Sequence, residues 1–321
     1  MLSKKAEKTK KIYKRMSFLL SMGVAEPGKV SKFMASFVRY NFNNIAKFFS
    51  TAKDSKYEEI SLGGVLTWKV STPNSDPNKV LLFFHGGAYM VGSPKAYYPM
   101  MSYMAEITGF TIFVPDYRLA PENLFPSQLE DGLATYKALI DDHGYSNSQI
   151  AIGGDSAGGN LAFVTFLKLK ELNEDFPAAI ACISPWADPA ATGESYNEEM
   201  ADKDPLIGPL FKKIWNKFNM KSAIGYYVKK EDADPSNPFI CPINGDFSGS
   251  PPVMIQVGAD ELLLSDSRTM KKALDRDGVL NEYKEWENLW HVFQLDGELE
   301  ESIKSFEMYR DFLNSHIGTK V

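Results

Sequence analysis

Gly153-Gly154-Asp155-Ser156-Ala157-Gly158-Gly159 is the most informative stretch of the chain. It follows an apolar run ending at Ile152 and opens an apolar helical stretch from Asn160 to Leu172. A serine between glycines at the joint of a strand and a helix is the G-x-S-x-G pattern of a nucleophile elbow. The turn is sharp, so Gly154 and Gly158 must be small for strand and helix to approach. The helix N-terminus offers free N–H groups and the positive end of its dipole to a developing oxyanion. The plain alternative is a Gly-rich turn or a phosphate loop. The stretch lacks the GK[ST] of a P-loop and the GxGxxG spacing of a dinucleotide site.

Outward from this stretch, apolar strand runs alternate with helical segments. The runs are Val80 to Phe84, Thr111 to Val114, Gln149 to Ile152, Ala179 to Ile183, Val253 to Val257 and Leu280 to Trp286. Helices are expected near 97–107, 127–141, 157–172, 262–277 and 298–314. Uniformly apolar strands alternating with helices indicate a parallel sheet covered on both faces. Ahead of it, Tyr57 to Ser61 and Val65 to Val70 read as a hairpin turned at Gly63-Gly64. Between Trp186 and Asn237 no strand is expected, only turns and a helix marked by Phe211, Ile214, Trp215 and Phe218. That interval is too long for a simple connection and reads as an inserted cap. In the first 50 residues Ile12, Met16, Leu19 and Leu20 share one helical face. Val30, Phe33, Met34, Phe37 and Val38 mark a second helix, with Pro27 and Gly28 between the two. The expected division is cap helices over 1–50, core over 51–186, cap insertion over 187–237 and core again over 238–321.

The 321 residues carry a net charge of −6, so a nucleic-acid footprint is absent. Residues 1–15 nevertheless hold seven Lys or Arg against one Glu, leaving −12 on the remainder. The short, interrupted apolar stretch at 16–24 makes this a solvated helical arm rather than a signal peptide, with attraction to anionic lipid as a secondary reading. No apolar run approaches the length of a transmembrane helix, and a cytoplasmic location is expected. Cys182 and Cys241 are too few for a disulfide framework, and Cys182 reads as a buried small hydrophobe. No metal motif occurs, and no cofactor is expected. Self-association into a homodimer is left open.

Chemistry then narrows the remaining residues. His85-Gly86-Gly87-Ala88-Tyr89 ends a strand, and its adjacent glycines let backbone N–H groups face a cavity, completing an oxyanion hole with Ala157. A serine hydroxyl needs a base. Of the four histidines, His143 belongs to the opposite sheet edge, His316 follows the last helix, and His85 braces the oxyanion turn. His291 remains. Asp260, directly after a strand, is the expected acid; Glu261 is expected to point elsewhere. The chain order Ser156, Asp260, His291 is that of α/β-hydrolases.

HGGA, GDSAGG, the segment Asp116 to Glu122, Ser184-Pro185-Trp186, GADE and WHVF together resemble the hormone-sensitive-lipase-like α/β-hydrolases, microbial carboxylesterases with an N-terminal cap. The resemblance covers about residues 57–315. It implies an eight-stranded, mostly parallel sheet with a helical cap, and Gly86, Gly87 and Ala157 as the oxyanion hole. The sequence departs at Ala88, where many relatives carry a third Gly, and at Asp260-Glu261-Leu262, where many have Asp-Pro-Leu. Arg118 and Glu122 read as structural ion-pair partners. The implied activity is a serine carboxylesterase acting on short- to medium-chain acyl esters. An amidase or lactone hydrolase with the same triad, and a non-catalytic ligand receptor, are the alternatives.

Overall fold

The computed structural model describes residues 3–22, 25–26, 28–218 and 222–318. Val24, Pro27 and the side chain of Leu19, used in the reading above, lie outside the described residues.

Eight strands form one sheet: β1 (Lys56–Leu62), β2 (Val65–Ser71), β3 (Asp76–Phe84), β4 (Phe110–Pro115), β5 (Ile150–Asp155), β6 (Ala179–Ile183), β7 (Val253–Gly258) and β8 (Asn281–Trp286). Their order is β1-β2-β4-β3-β5-β6-β7-β8. The hairpin β1–β2 and the β2–β4 pair are antiparallel, and every later pair is parallel. Parallel neighbours require crossovers. These are α3 (Pro94–Thr108), α4 (Ser127–Asp141), α5 (Ala157–Leu172) and α8 (Leu264–Arg276), with α9 (Glu300–His316) closing the chain.

The period-2 alternation of the strands sorts their side chains into two apolar layers. Leu82, Phe84, Ile152, Ile180 and Ile255 face one layer with Leu161 of α5 and Met270 of α8. Leu81, Phe83, Ala181 and Met254 face the other with Met100 and Met104 of α3 and Phe306 and Tyr309 of α9. The central strands β4 to β7 are buried along their whole length, which is why they read as unbroken apolar runs. Edge strand β8 is half exposed and carries Glu282, Lys284 and Glu285, charges that discourage pairing with another strand.

Three-residue turns and two helices, α6 (Glu198–Lys203) and α7 (Gly208–Phe218), occupy the interval between β6 and β7 together with long loops. No strand interrupts it among the described residues. The N-terminal helices α1 (Lys4–Met22) and α2 (Lys32–Asn43) pack on each other, and α1 also packs on α7. Ser31 caps α2 through its hydroxyl, which accepts from Met34 N at 3.2 Å. Arg39 of α2 ties this layer to the core, donating to Met90 O and to the carboxylate of Glu122. Arg118 pairs instead with Asp131 and Glu130 of α4, so the two ion-pair residues of the 116–122 segment have different partners. Cys182 is buried and unpaired. Among the described residues no helix is long and apolar enough to cross a membrane.

Candidate active site

Ser156 stands between β5 and α5 with φ 53° and ψ −120°, a left-handed backbone that a non-glycine residue adopts only when its surroundings force it. Its N–H donates to Ile183 O, and its carbonyl accepts from Asn160 N and Trp186 N. These bonds pin the turn between the ends of β5 and β6. Gly158 makes the approach feasible, because a Cβ there would collide with the carbonyl of Phe84.

The turn after β3 supplies the facing wall. Gly87 has φ 120°, and a Cβ on it would strike the carbonyl of Val91. Ala88 and Tyr89 follow in left-handed conformation. Gly86 behaves differently from its expected role: its N–H donates to Asp155 Oδ1 at 2.9 Å and to Tyr97 Oη at 3.0 Å. Its N–H is therefore already engaged by protein acceptors. Gly87 and Ala88 line the cavity with Ser156, and their N–H groups have no acceptor among the described residues. Ala157, in the first turn of α5, has no intrahelical acceptor for its own N–H. The donors available to an oxyanion are thus Gly87, Ala88 and Ala157. Asp155, which orders this turn, is pushed up to about 7, chiefly by burial, against the lowering effects of the Tyr97 hydrogen bond and the His291 charge. His85 lies flat on Tyr117 at 4.3 Å, with Nδ1 at 2.8 Å from Gly86 O. Burial lowers it to about 4, so it is neutral and braces the turn.

His291 sits on the loop after β8 and is buried. Its Nδ1 lies 3.0 Å from Glu261 Oε1. Asp260, the acid expected from the sequence, does not reach it: the Asp260 backbone N–H donates to Leu289 O and its side chain is partly exposed. The reason is the path of the chain after β7. The turn from Gly258 curls back, and Glu261 Oε2 accepts from Gly258 N and from Ser184 Oγ, both at 2.8 Å. Glu261 is fully buried beneath the imidazole with three hydrogen-bond donors. A carboxylate can only accept, so the imidazole proton is on Nδ1 and Nε2 is free to act as a base.

Further residues that the sequence reading missed support this arrangement. Asp204, at the end of α6, is buried and accepts from Leu262 N with one oxygen and from Leu206 N and Ile207 N with the other. Burial pushes it up to about 6. Tyr13 of α1 donates to Val292 O at 2.6 Å and meets the ring of Trp290 edge-on, so the first helix holds the histidine loop. Neither carried a sequence signal, whereas Ser184, which donates to Glu261, did so in the Ser184-Pro185-Trp186 run.

Ser156 and His291 line the same cavity, of about 200 Å³, under a wall that includes Val38, Phe42, Leu206, Leu210 and Ile214 from the helical layer. No hydrogen bond joins the serine hydroxyl to the imidazole in this structure, a contact that commonly tightens only with substrate bound. His143 is exposed, and the ring of His316 packs on Phe312. Among the described residues no cluster of His, Cys, Asp and Glu is disposed to hold a metal.

A family model described as alpha/beta hydrolase fold matches residues 81–295. The putative acetyl-hydrolase LipR of Mycobacterium tuberculosis (strain ATCC 25618 / H37Rv) is 32% identical over 247 residues, 77% of this chain and 76% of that protein. An acetyl-hydrolase of Streptomyces hygroscopicus is 31% identical, over 77% of this chain and 79% of its own. Among solved structures, a mutant of the esterase E40 superposes with a TM-score of 0.86 at 30% identity, covering 99% of this chain and all of that one. An esterase from the bacterial hormone-sensitive lipase family superposes at 0.82 with 32% identity, covering 96% and 99%. Fold, sequence match and structural neighbours agree that the chain belongs to the alpha/beta hydrolase fold family, in its hormone-sensitive-lipase-like branch, and is a carboxylic ester hydrolase.

Proposed function

We propose that this esterase cleaves short- to medium-chain acyl esters through Ser156, His291 and Glu261, by way of an acyl-enzyme. The observation that carries the reading is the buried Glu261–His291 hydrogen bond beneath a cavity that Ser156 also lines. His291 Nε2 takes the hydroxyl proton as Ser156 Oγ attacks the ester carbonyl carbon. The oxyanion of the tetrahedral intermediate accepts from the N–H groups of Gly87, Ala88 and Ala157. Glu261 stabilises the imidazolium, which passes its proton to the departing alkoxide. Water then repeats the sequence on the acyl-enzyme. In this reading residues 1–50 and 187–237 form the cap, and those of its apolar side chains that line the cavity, Val38, Phe42, Leu206, Leu210 and Ile214 among them, bind the acyl chain.

Acyl length follows from the cavity. Each methylene buried there contributes about 0.8 kcal/mol, about a factor of four in kcat/KM, until the space is filled. Across p-nitrophenyl esters from acetate to palmitate, kcat/KM is expected to climb to a maximum between four and about eight acyl carbons and to fall beyond it. Palmitate turning over faster than butyrate would exclude an enclosed acyl site. A p-nitroanilide and a lactone assayed alongside would show whether the triad acts on esters alone.

The pH profile gives a second test. Burial is the largest single influence on His291 and disfavours its charged form. The charge and hydrogen bond of Glu261, with the charges of Asp204 and Asp155, together outweigh it and hold the imidazole above its ordinary 6.5. The base must be neutral to act. The ascending limb of kcat/KM against pH is therefore expected to have its midpoint above 6.5. Asp204→Asn removes a negative charge and should move that midpoint down. A midpoint well below 6.5 in the wild type would contradict this electrostatic picture.

A further inference from the structure

The outer faces of α1 and α2 combine exposed aromatic side chains with unpaired cations. Ten large hydrophobic side chains are exposed among the described residues, and half of them lie between Phe18 and Phe48. On α2, Phe33, Phe37 and Tyr40 are 80%, 41% and 70% exposed. Their i, i+4, i+7 spacing aligns them on one stripe, opposite the buried Ala35, Val38 and Phe42. On α1 the buried stripe is Ala6, Thr9, Tyr13, Met16 and Ser17. At 3.6 residues per turn the reverse face carries Lys4, Lys8, Lys11, Lys14, Arg15 and Phe18, all exposed, with Glu7 as the one acid among them. None of these five cations is in an ion pair among the described residues, whereas Lys5, nearer the packed side, pairs with Glu298.

A monomeric soluble surface rarely concentrates apolar area in this way. Charge selects the occupant. Residues 1–15 carry +6 and the remainder of the chain −12, so an anionic surface attracts this face and repels the others. An exposed row of aromatics on one helix and an exposed row of cations on the helix packed against it are the composition of an interfacial element: cations meet the headgroups and rings enter the acyl boundary. The same two helices line the cavity from within, through Leu20, Val38 and Phe42. We propose that the outer face of α1 and α2 docks on an anionic lipid bilayer and sets the catalytic cavity against it. The binding claim is independent of which acyl esters are cleaved.

The test is cosedimentation of the full chain with vesicles of phosphatidylcholine alone and of phosphatidylcholine mixed with phosphatidylglycerol. Binding is expected on the mixed vesicles only and should weaken with added salt. The triple variant Lys8→Gln, Lys11→Gln, Lys14→Gln is expected to lower the partition coefficient about fivefold per lysine, about a hundredfold in all. The triple variant Phe33→Ser, Phe37→Ser, Tyr40→Ser should lose binding as well. Both should hydrolyse a soluble butyrate ester at the wild-type rate, since none of the six residues lines the cavity; that activity reports correct folding. No binding to mixed vesicles, or equal binding by both variants, would overturn the proposal. So would a wild-type dimer that ignores vesicles and becomes monomeric in the serine variant, because the face would then belong to a second copy.

Discussion

Ser156→Ala is expected to lower kcat by about five to six orders of magnitude on any ester the enzyme accepts, because a triad acts as a unit and loses nearly everything when its nucleophile is removed. The purified variant should fold normally, since the serine is held by backbone bonds to Ile183, Asn160 and Trp186 that alanine retains. The backbone adds a second expectation. A residue at φ 53° and ψ −120° is strained, and such strain is worth about 1–3 kcal/mol. Alanine keeps that strain and glycine relieves it. Ser156→Gly should therefore be as inactive as Ser156→Ala yet melt at a higher temperature. Near-wild-type turnover by a folded Ser156→Ala protein would show that the elbow is not the nucleophile. Equal melting temperatures for the two variants would show instead that the turn stores no strain.

What the sequence made legible was whatever rests on local pattern. Strands β4 to β7 are buried on both faces, so the apolar run marks the strand without knowledge of its neighbours. The elbow is legible because a strand, a glycine-flanked serine and a helix are contiguous. The strandless interval before β7 is legible by its length alone. Side-chain direction at the site was not legible, because it is set by partners distant in the chain. Asp260 and Glu261 are adjacent carboxylates after one strand, and nothing local separates them. The choice is made by Ser184, 77 residues earlier, whose hydroxyl donates to Glu261, and by the curl that brings Gly258 N to the same oxygen. The engagement of Gly86 was hidden for a similar reason: Asp155, 69 residues away, claims its N–H. Ala88 adopts a left-handed conformation without being glycine and lines the cavity. The contribution of α1 was equally hidden, since Tyr13 reaches Val292 across 279 residues.

Glu261→Gln is the substitution that separates the two carboxylates. The amide nearly preserves shape but can no longer take the proton of Nδ1–H as a charged acceptor, and its own N–H₂ favours the tautomer with the proton on Nε2. In that tautomer the imidazole cannot accept from Ser156, and the comparable change in a serine-hydrolase triad costs about four orders of magnitude in kcat. A loss of about that size is expected here. The surviving activity should have its ascending pH limb below that of the wild type, because the largest positive influence on the imidazole pKa has been removed. Asp260→Asn changes a partly exposed side chain that makes no hydrogen bond or ion pair to His291, whose acidic partner is Glu261, and should alter kcat by no more than about twofold. Glu261 is buried with three donors around it, so the glutamine variant must be checked for folding by its melting transition. Glu261→Asp, which keeps the charge on a shorter arm, should recover part of the lost rate if position and charge are both required. Collapse of activity in Asp260→Asn with Glu261→Gln nearly unaffected would return the acid to Asp260. It would mean that the turn after β7 rearranges before the enzyme acts.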